Sequence, residues 1–138
     1  MHRAFALFAL LFAASTLADA EGELAAAIRL YEDFQPEQAL PKLRALALSS
    51  PSVGPRARAH LYLGLCLATL GDSGSASAAF VDAFLIEPEL KVPPETLAEI
   101  VRRAETARSE AKATLAARAR EAAEAKARAA VEARVQAE

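Results

Sequence analysis

The chain has 138 residues, is 54% hydrophobic and 25% charged, and carries a formal net charge of −2. So small a charge gives no argument for an electrostatic grip on nucleic acid or on an anionic membrane surface, and neither is expected as a partner. A single cysteine, Cys66, excludes an internal disulfide, and two histidines leave histidine-based metal sites and catalytic triads short of parts.

The N-terminus reads as an export signal. His2-Arg3 and the α-amino group form a short positive region, Ala4 through Ala14 is an unbroken apolar run, and Ala18-Asp19-Ala20 supplies a small-x-small cleavage site. The expectation is a signal peptide over residues 1–20, cut after Ala20, and a periplasmic or secreted chain beginning at Glu21. The alternative is an uncleaved membrane anchor. The apolar stretch is shorter than the roughly 20 residues that span a bilayer, and Ser15 and Thr16 weaken it, so no membrane span is expected after cleavage. No cysteine stands near the site to carry a lipid. Twelve arginines against four lysines, with abundant alanine, fit a GC-rich bacterial genome.

Beyond Glu21 the spacing is helical, and no run alternates apolar and polar residues between turn signals as a strand would. Leu24, Ala27, Ile28 and Tyr31 make a stripe at i, i+3, i+4, i+7, which predicts a first helix. Pro36 follows a Phe34-Gln35 turn and suits the first position of a second helix, which would bury Ala39, Leu40, Leu43, Leu46 and Ala47. The breaker-rich run Ser49–Pro55 predicts a loop.

The third helix, from about Pro55 to Leu70, differs in kind. From Ala59 to Leu70 only His60 and Thr69 are clearly polar, and a helix apolar on all sides is packed on all sides. Gly64 there would let a neighbouring helix approach closely, and Cys66 reads as a small buried hydrophobe, a bridge to a second chain being the alternative. Gly71 suits a helix C-terminus, with Asp72 or Ser73 capping the next helix. In that fourth helix Ala76, Ala79, Phe80, Ala83 and Phe84 share a face.

Val92-Pro93-Pro94 predicts a stiff connector after Pro88, and Thr96-Leu97-Ala98-Glu99 predicts a capping box at the start of a fifth helix. Its stripe of Leu97, Ile100, Val101 and Ala104 should cover the open face of the preceding pair. From Arg118 to Glu138 only Val131 and Val135 are large and apolar among Ala, Arg, Glu and Lys. High helix propensity and the four-apart charges Arg120, Glu124, Arg128 and Glu132 predict a long helix. The alternatives for it are a solvated arm or an oligomerising coiled-coil helix, for which two valines are a thin seam.

Two copies of one pattern lie 37 residues apart, Ala39 with Ala76 and Pro51 with Pro88. In the second copy Leu63-Gly64, Gly71, Ala76, Phe80, Ala83 and Pro88 resemble the tetratricopeptide repeat, whose usual period is about 34. The extra residues are expected in the Ser49–Pro55 connection. Where the family carries Trp and Tyr, this chain has His60 and Leu67, and the first copy has Ala27 for glycine. His60 is expected to pack as an aromatic ring with its nitrogens bonded to backbone or water.

The resemblance implies an all-α protein: two stacked helix pairs over residues 21–108, with a capping helix that extends into a charged helix over 109–138. It also implies a groove lined by the first helix of each pair, near Leu24, Ile28, Tyr31, Arg58, Leu61, Tyr62 and Leu65. A role for these residues in the core is the other reading. Leu24, Ile28 and Leu61 do not match the carboxylate clamp of chaperone-binding members, so an acidic C-terminal peptide is not the expected ligand.

No catalytic, cofactor-binding or metal-ligating set emerges, and a non-enzyme is expected. The function expected is a protein-interaction scaffold of the bacterial envelope, binding a protein partner through that groove. The alternative is a structural element in which the Ala-rich helix holds copies together as a homo-oligomer. On export, mass spectrometry of the chain from its host should find Glu21 at the N-terminus; an intact Met1 in the membrane fraction would favour the anchor.

Overall fold

The computed structural model describes residues 18–138, and among them the fold is all-α. Helix α1 covers residues 18–32, α2 Pro36–Ser49, α3 Val53–Thr69, α4 Ser73–Ile86 and α5 Ala98–Ala137. Residues 18–20 are helical and continuous with α1; the rest of the expected leader lies outside the described residues. No described helix is long and apolar enough to cross a membrane.

Helix α3 is the centre of the packing. Helix α2 lies against it on one side and α4 on the other, and α5 packs on α4. Two groups of buried residues result. Leu24, Ala27 and Ile28 of α1 pack with Leu43, Leu46 and Ala47 of α2. Leu61 and Leu65 of α3 pack with Phe80, Ala83 and Phe84 of α4 and with Ala104, Ala107 and Ala111 of α5. Tyr31, Leu40, Tyr62 and Leu63 touch both groups and join them. Cys66 is fully buried, and that burial pushes its thiol up to about 12, which suits a packing role.

The 37-residue repeat is a repeat of structure as well as sequence. Helices α2 and α4 each have 14 residues, and their starts, Pro36 and Ser73, are 37 positions apart. The turns before them are also the same turn. At the end of α3 the Asp72 amide donates to the Leu67 carbonyl (2.9 Å) and the Gly71 amide to the Ala68 carbonyl (3.1 Å). At the end of α1 the Gln35 amide donates to Leu30 (2.8 Å) and the Phe34 amide to Tyr31 (3.1 Å). Both pairs form the Schellman closure, which satisfies carbonyls that a helix end leaves free.

Close packing inside the second pair depends on a missing side chain. A Cβ placed on Gly64 would lie 2.5 Å from Cε1 of Phe80 and 2.6 Å from its Cδ1. Phe80 itself is fully buried. In the first pair the equivalent positions are Ala27 and Leu43, both fully buried. A methyl on one helix is matched by a smaller side chain on the other, so both pairs fill the same space differently.

Three expectations are corrected. The Ser49–Pro55 loop is shorter than the run of breakers suggests, because Val53-Gly54-Pro55 forms the first turn of α3. Proline is tolerated there since first-turn amides have no helical partner. The capping box at Thr96 does not form: the Thr96 amide donates to Pro93 (3.1 Å) in a turn, Leu97 takes the cap position, and α5 starts at Ala98. Of the expected covering stripe, Ala104 and Ile100 pack against the α3–α4 core, but Leu97 is 72% exposed, and Ala107 and Ala111 extend the contact.

Helix α5 is held at its base by cations. The Arg108 guanidinium stacks 4.1 Å from the Phe84 ring centroid and donates to the Pro88 carbonyl. Lys112 Nζ meets Glu89 Oε1 at 2.9 Å, and this contact holds the Glu89 carboxyl below its ordinary value. Beyond Leu115 the helix leaves the domain, and every residue from Arg118 on is exposed. Of the four-apart charges expected to pair along it, Glu124 and Arg128 meet at 4.0 Å.

Two substitutions should move a denaturation midpoint in opposite directions. Phe80→Ala should cost about 3–5 kcal/mol, since it empties the space against Gly64. Pro41 lies inside α2 on the exposed side, and Ala78 occupies its equivalent in α4. Pro41→Ala restores a helical amide and should stabilise by up to about 3 kcal/mol. A midpoint unmoved by Phe80→Ala would mean that α3 and α4 are not packed through this ring.

Candidate functional site

The connection between α1 and α2 determines where the candidate site forms. Phe34 holds the left-handed position of its turn, φ 59°, where the second repeat places Gly71 at φ 86°. A side chain there costs about 1–2 kcal/mol relative to glycine. The next residue is no better suited: Gln35 occupies the cap position without a side-chain hydrogen bond, while Asp72 Oδ1 accepts from the Ser75 amide at 3.2 Å. The first turn thus carries two unfavourable choices where the second carries two favourable ones.

That conformation sends the Phe34 ring into solvent, 93% exposed. It stands at the edge of an open cleft of about 770 Å³ between the ends of α1 and α3, the start of α2 and the segment leading into α5. Tyr31 and Tyr62 form one wall, their rings packed edge to face with centroids 5.6 Å apart and planes at 77°. Pro36, Leu70, Pro93, Leu97 and Ile100 supply the other apolar surfaces. Phe34, Leu70 and Leu97 are three of the seven large hydrophobics that stand exposed among the described residues.

The charges lining the cleft are of one sign. Glu32, Glu37 and Glu95 lie around it, and no lysine or arginine does. The tyrosines register this field. Burial raises the Tyr31 phenol above its ordinary value, and Cys66, Tyr62 and Glu95 push it further. Burial also raises Tyr62, with Glu32 adding to the shift and Arg58 opposing it. Such an arrangement offers apolar contact and attraction for cations; it contains no nucleophile paired with a base.

The residues expected to line a groove separate into two groups. Leu24, Ile28, Leu61 and Leu65 are buried in the core, because the apolar stripes of α1 and α3 face their partner helices. Tyr31 and Tyr62 face the cleft. Arg58 is exposed and lies 3.6 Å from Glu21. Sequence reading missed Phe34, Leu70 and the Pro93–Ile100 side of the cleft. The available signal was a large aromatic in a turn position where the repeat elsewhere has glycine.

The packing set Leu63, Gly64, Ala76, Phe80 and Ala83 lies in or against the core, Gly71 closes α3, and Pro88 is half-buried beside α5, where its carbonyl receives Arg108. His60 is half-buried as expected of a packing ring, but its Nδ1 has no hydrogen-bond partner, and burial lowers its pKa from the ordinary 6.5. A second depression of about 330 Å³ on α4 and α5 is lined by Arg102 and Arg103 but also by Glu99 and Glu110, whose charges offset one another. Among the described residues no cluster of three metal-ligating side chains occurs. Compared with known proteins, the chain matches no family model, no curated protein and no solved structure.

Phe34→Gly should raise stability by about 1 kcal/mol, because it relieves the left-handed backbone and removes a ring that touches little. A denaturant titration checks the sign. A loss of stability would show that the ring packs on the cleft in solution.

Proposed function

We propose that this chain is a non-catalytic protein-interaction module of the tetratricopeptide type that its sequence resembles, acting in the bacterial envelope. Its partner is a protein segment with apolar side chains flanked by lysine or arginine, received in the Tyr31–Tyr62 cleft. One observation carries this reading: exposed Phe34, Leu70 and Leu97 converge on a cleft whose only charges are Glu32, Glu37 and Glu95. A volume of about 770 Å³ accommodates a few side chains of a helix or an extended strand. The export signal read over residues 1–20 supports the envelope as the place of action. The alternative, self-assembly through the charged helix, is favoured by the exposed Val131 and Val135 near its end.

Two designed helical peptides test the recognition, one with leucines at i, i+3, i+4, i+7 and lysines elsewhere, the other with glutamates in place of the lysines. The lysine peptide should bind, should weaken as salt is raised, and should weaken at least tenfold with Leu97→Glu or Tyr62→Ala. Equal binding of both peptides, or indifference to both substitutions, would overturn the proposal.

A further inference from the structure

We infer that the Tyr31–Tyr62 cleft binds a small quaternary-ammonium molecule, an alkylated cation that carries no anionic group. This goes beyond the protein segment proposed above and rests on the same reading of the cleft as a binding site.

The aromatic side chains of the described residues fall into two places. Phe80 and Phe84 are fully buried in the core, and the other three, Tyr31, Phe34 and Tyr62, all line this cleft. Tyr31 and Tyr62 meet edge to face, so the ring that gives its edge keeps its own faces clear of its partner. The face of a phenol ring is the negative side of its quadrupole and attracts a cation. The charges lining the cleft add to that attraction, since Glu32, Glu37 and Glu95 are all carboxylates. Burial first, with Glu95 among the groups after it, raises both phenols above their ordinary value, so one carboxylate acts on both rings. Arg58, which opposes the shift at Tyr62, is itself 3.6 Å from Glu21.

The supply of hydrogen-bond acceptors selects the kind of cation. A primary ammonium brings three N–H donors and a tightly held water shell, and it loses that hydration on entering a site whose walls are apolar. The three glutamates are exposed, so their carboxylates attract from the rim, and the Thr69 hydroxyl already donates to the Leu65 carbonyl at 2.8 Å. Between them lie proline, leucine and isoleucine surfaces. Methyl groups on nitrogen match such walls, because they spread the charge over an apolar surface and need no acceptor. One polar atom is left over. Thr96 lines the cleft, and its Oγ1 is buried without a hydrogen-bond partner, a cost that a hydroxyl on the ligand would relieve. A carboxylate or phosphate on the ligand would instead meet three like charges. The volume of about 770 Å³ lies within the range of small-molecule sites.

Choline is the probe, set against a neutral analogue with carbon in place of nitrogen (dimethylbutanol) and a carboxylate analogue (glycine betaine). In NMR titrations of the purified chain, choline should shift the ring signals of Tyr31, Phe34 and Tyr62 and leave those of Phe80 and Phe84 in place. It should bind at least about tenfold more tightly than either analogue. Glu95→Gln and Phe34→Gly, both at exposed positions and so expected to fold, should each weaken it by about threefold or more. Equal binding of choline and dimethylbutanol, or indifference to both substitutions, sinks the inference. The lysine peptide separates this inference from the proposed function. If that peptide binds and choline does not, the small-molecule reading fails and the protein segment stands. Choline binding with neither peptide bound supports the inference and removes the segment; a cleft that takes none of them removes both.

Discussion

The missing side chain at Gly64 is the constraint on which the second half of the molecule depends. Because α3 has no Cβ there, the Phe80 ring lies directly against its backbone and α4 comes close. Close approach lets small residues do the remaining work: Ala76, Ala79 and Ala83 are buried without leaving voids. The same economy passes outward to α5, whose packing face is made of Ala104, Ala107 and Ala111. Alanine faces gain little from desolvation per residue, so their geometry must be supplied by larger neighbours. Arg108 over Phe84 and Lys112 at Glu89 supply it, pinning α5 to the α4 connection while leaving the remainder of the helix free of the domain.

The two helix pairs show how one architecture tolerates two sequences. Gly64 against Phe80 and Ala27 against Leu43 are exchanges of volume across the same contact, and both pairs of residues are buried. The turns obey a different rule. Backbone hydrogen bonds close both turns in the same pattern, yet only the second has the glycine and aspartate that the pattern favours. Volume can be compensated by a neighbour; a left-handed φ cannot, since the clash is between a residue's own Cβ and its own backbone. Phe34 is therefore a local cost that packing elsewhere does not relieve.

This difference explains what was legible in the sequence. The helices were readable because their stripes repeat every three to four residues over long stretches, and α3 was readable as central because its apolar residues surround the helix. Gly71 was readable as a helix end because only its backbone conformation requires glycine. Phe34 occupies the same conformation with a residue that does not favour it, so only comparison with Gly71 of the other repeat points to it, and of the cleft only Tyr31 and Tyr62 were foreseen. Thr96 and Glu99 matched a cap by spacing, but Pro93-Pro94 pre-formed a turn that took the Thr96 amide first. Leu24, Ile28, Leu61 and Leu65 were identified as an apolar face, and periodicity finds such faces without saying which neighbour covers them. The neighbours are α2 for the first two and α4 for the last two, which left the two tyrosines as the accessible part of the set.

Strain and exposure coincide at one place, and the coincidence has a physical meaning. A large side chain in a left-handed turn, fully in water, gains nothing for the isolated fold: it adds backbone strain and leaves an aromatic ring hydrated. Gly71 shows that the same turn in the same chain accepts glycine. The single chain gives the ring no compensating contact, and a strained, exposed residue of this kind is what motivates reading the cleft as a docking surface. Leu97 follows the same logic, exposed at a cap position where a hydroxyl or carboxylate side chain would have satisfied α5's amides. Two independent departures from the locally favoured residue, on segments more than 60 positions apart in sequence, converge on a single cleft. Local folding preferences alone would have placed glycine at one and serine or aspartate at the other, and the cleft would then have lost its two most exposed apolar edges.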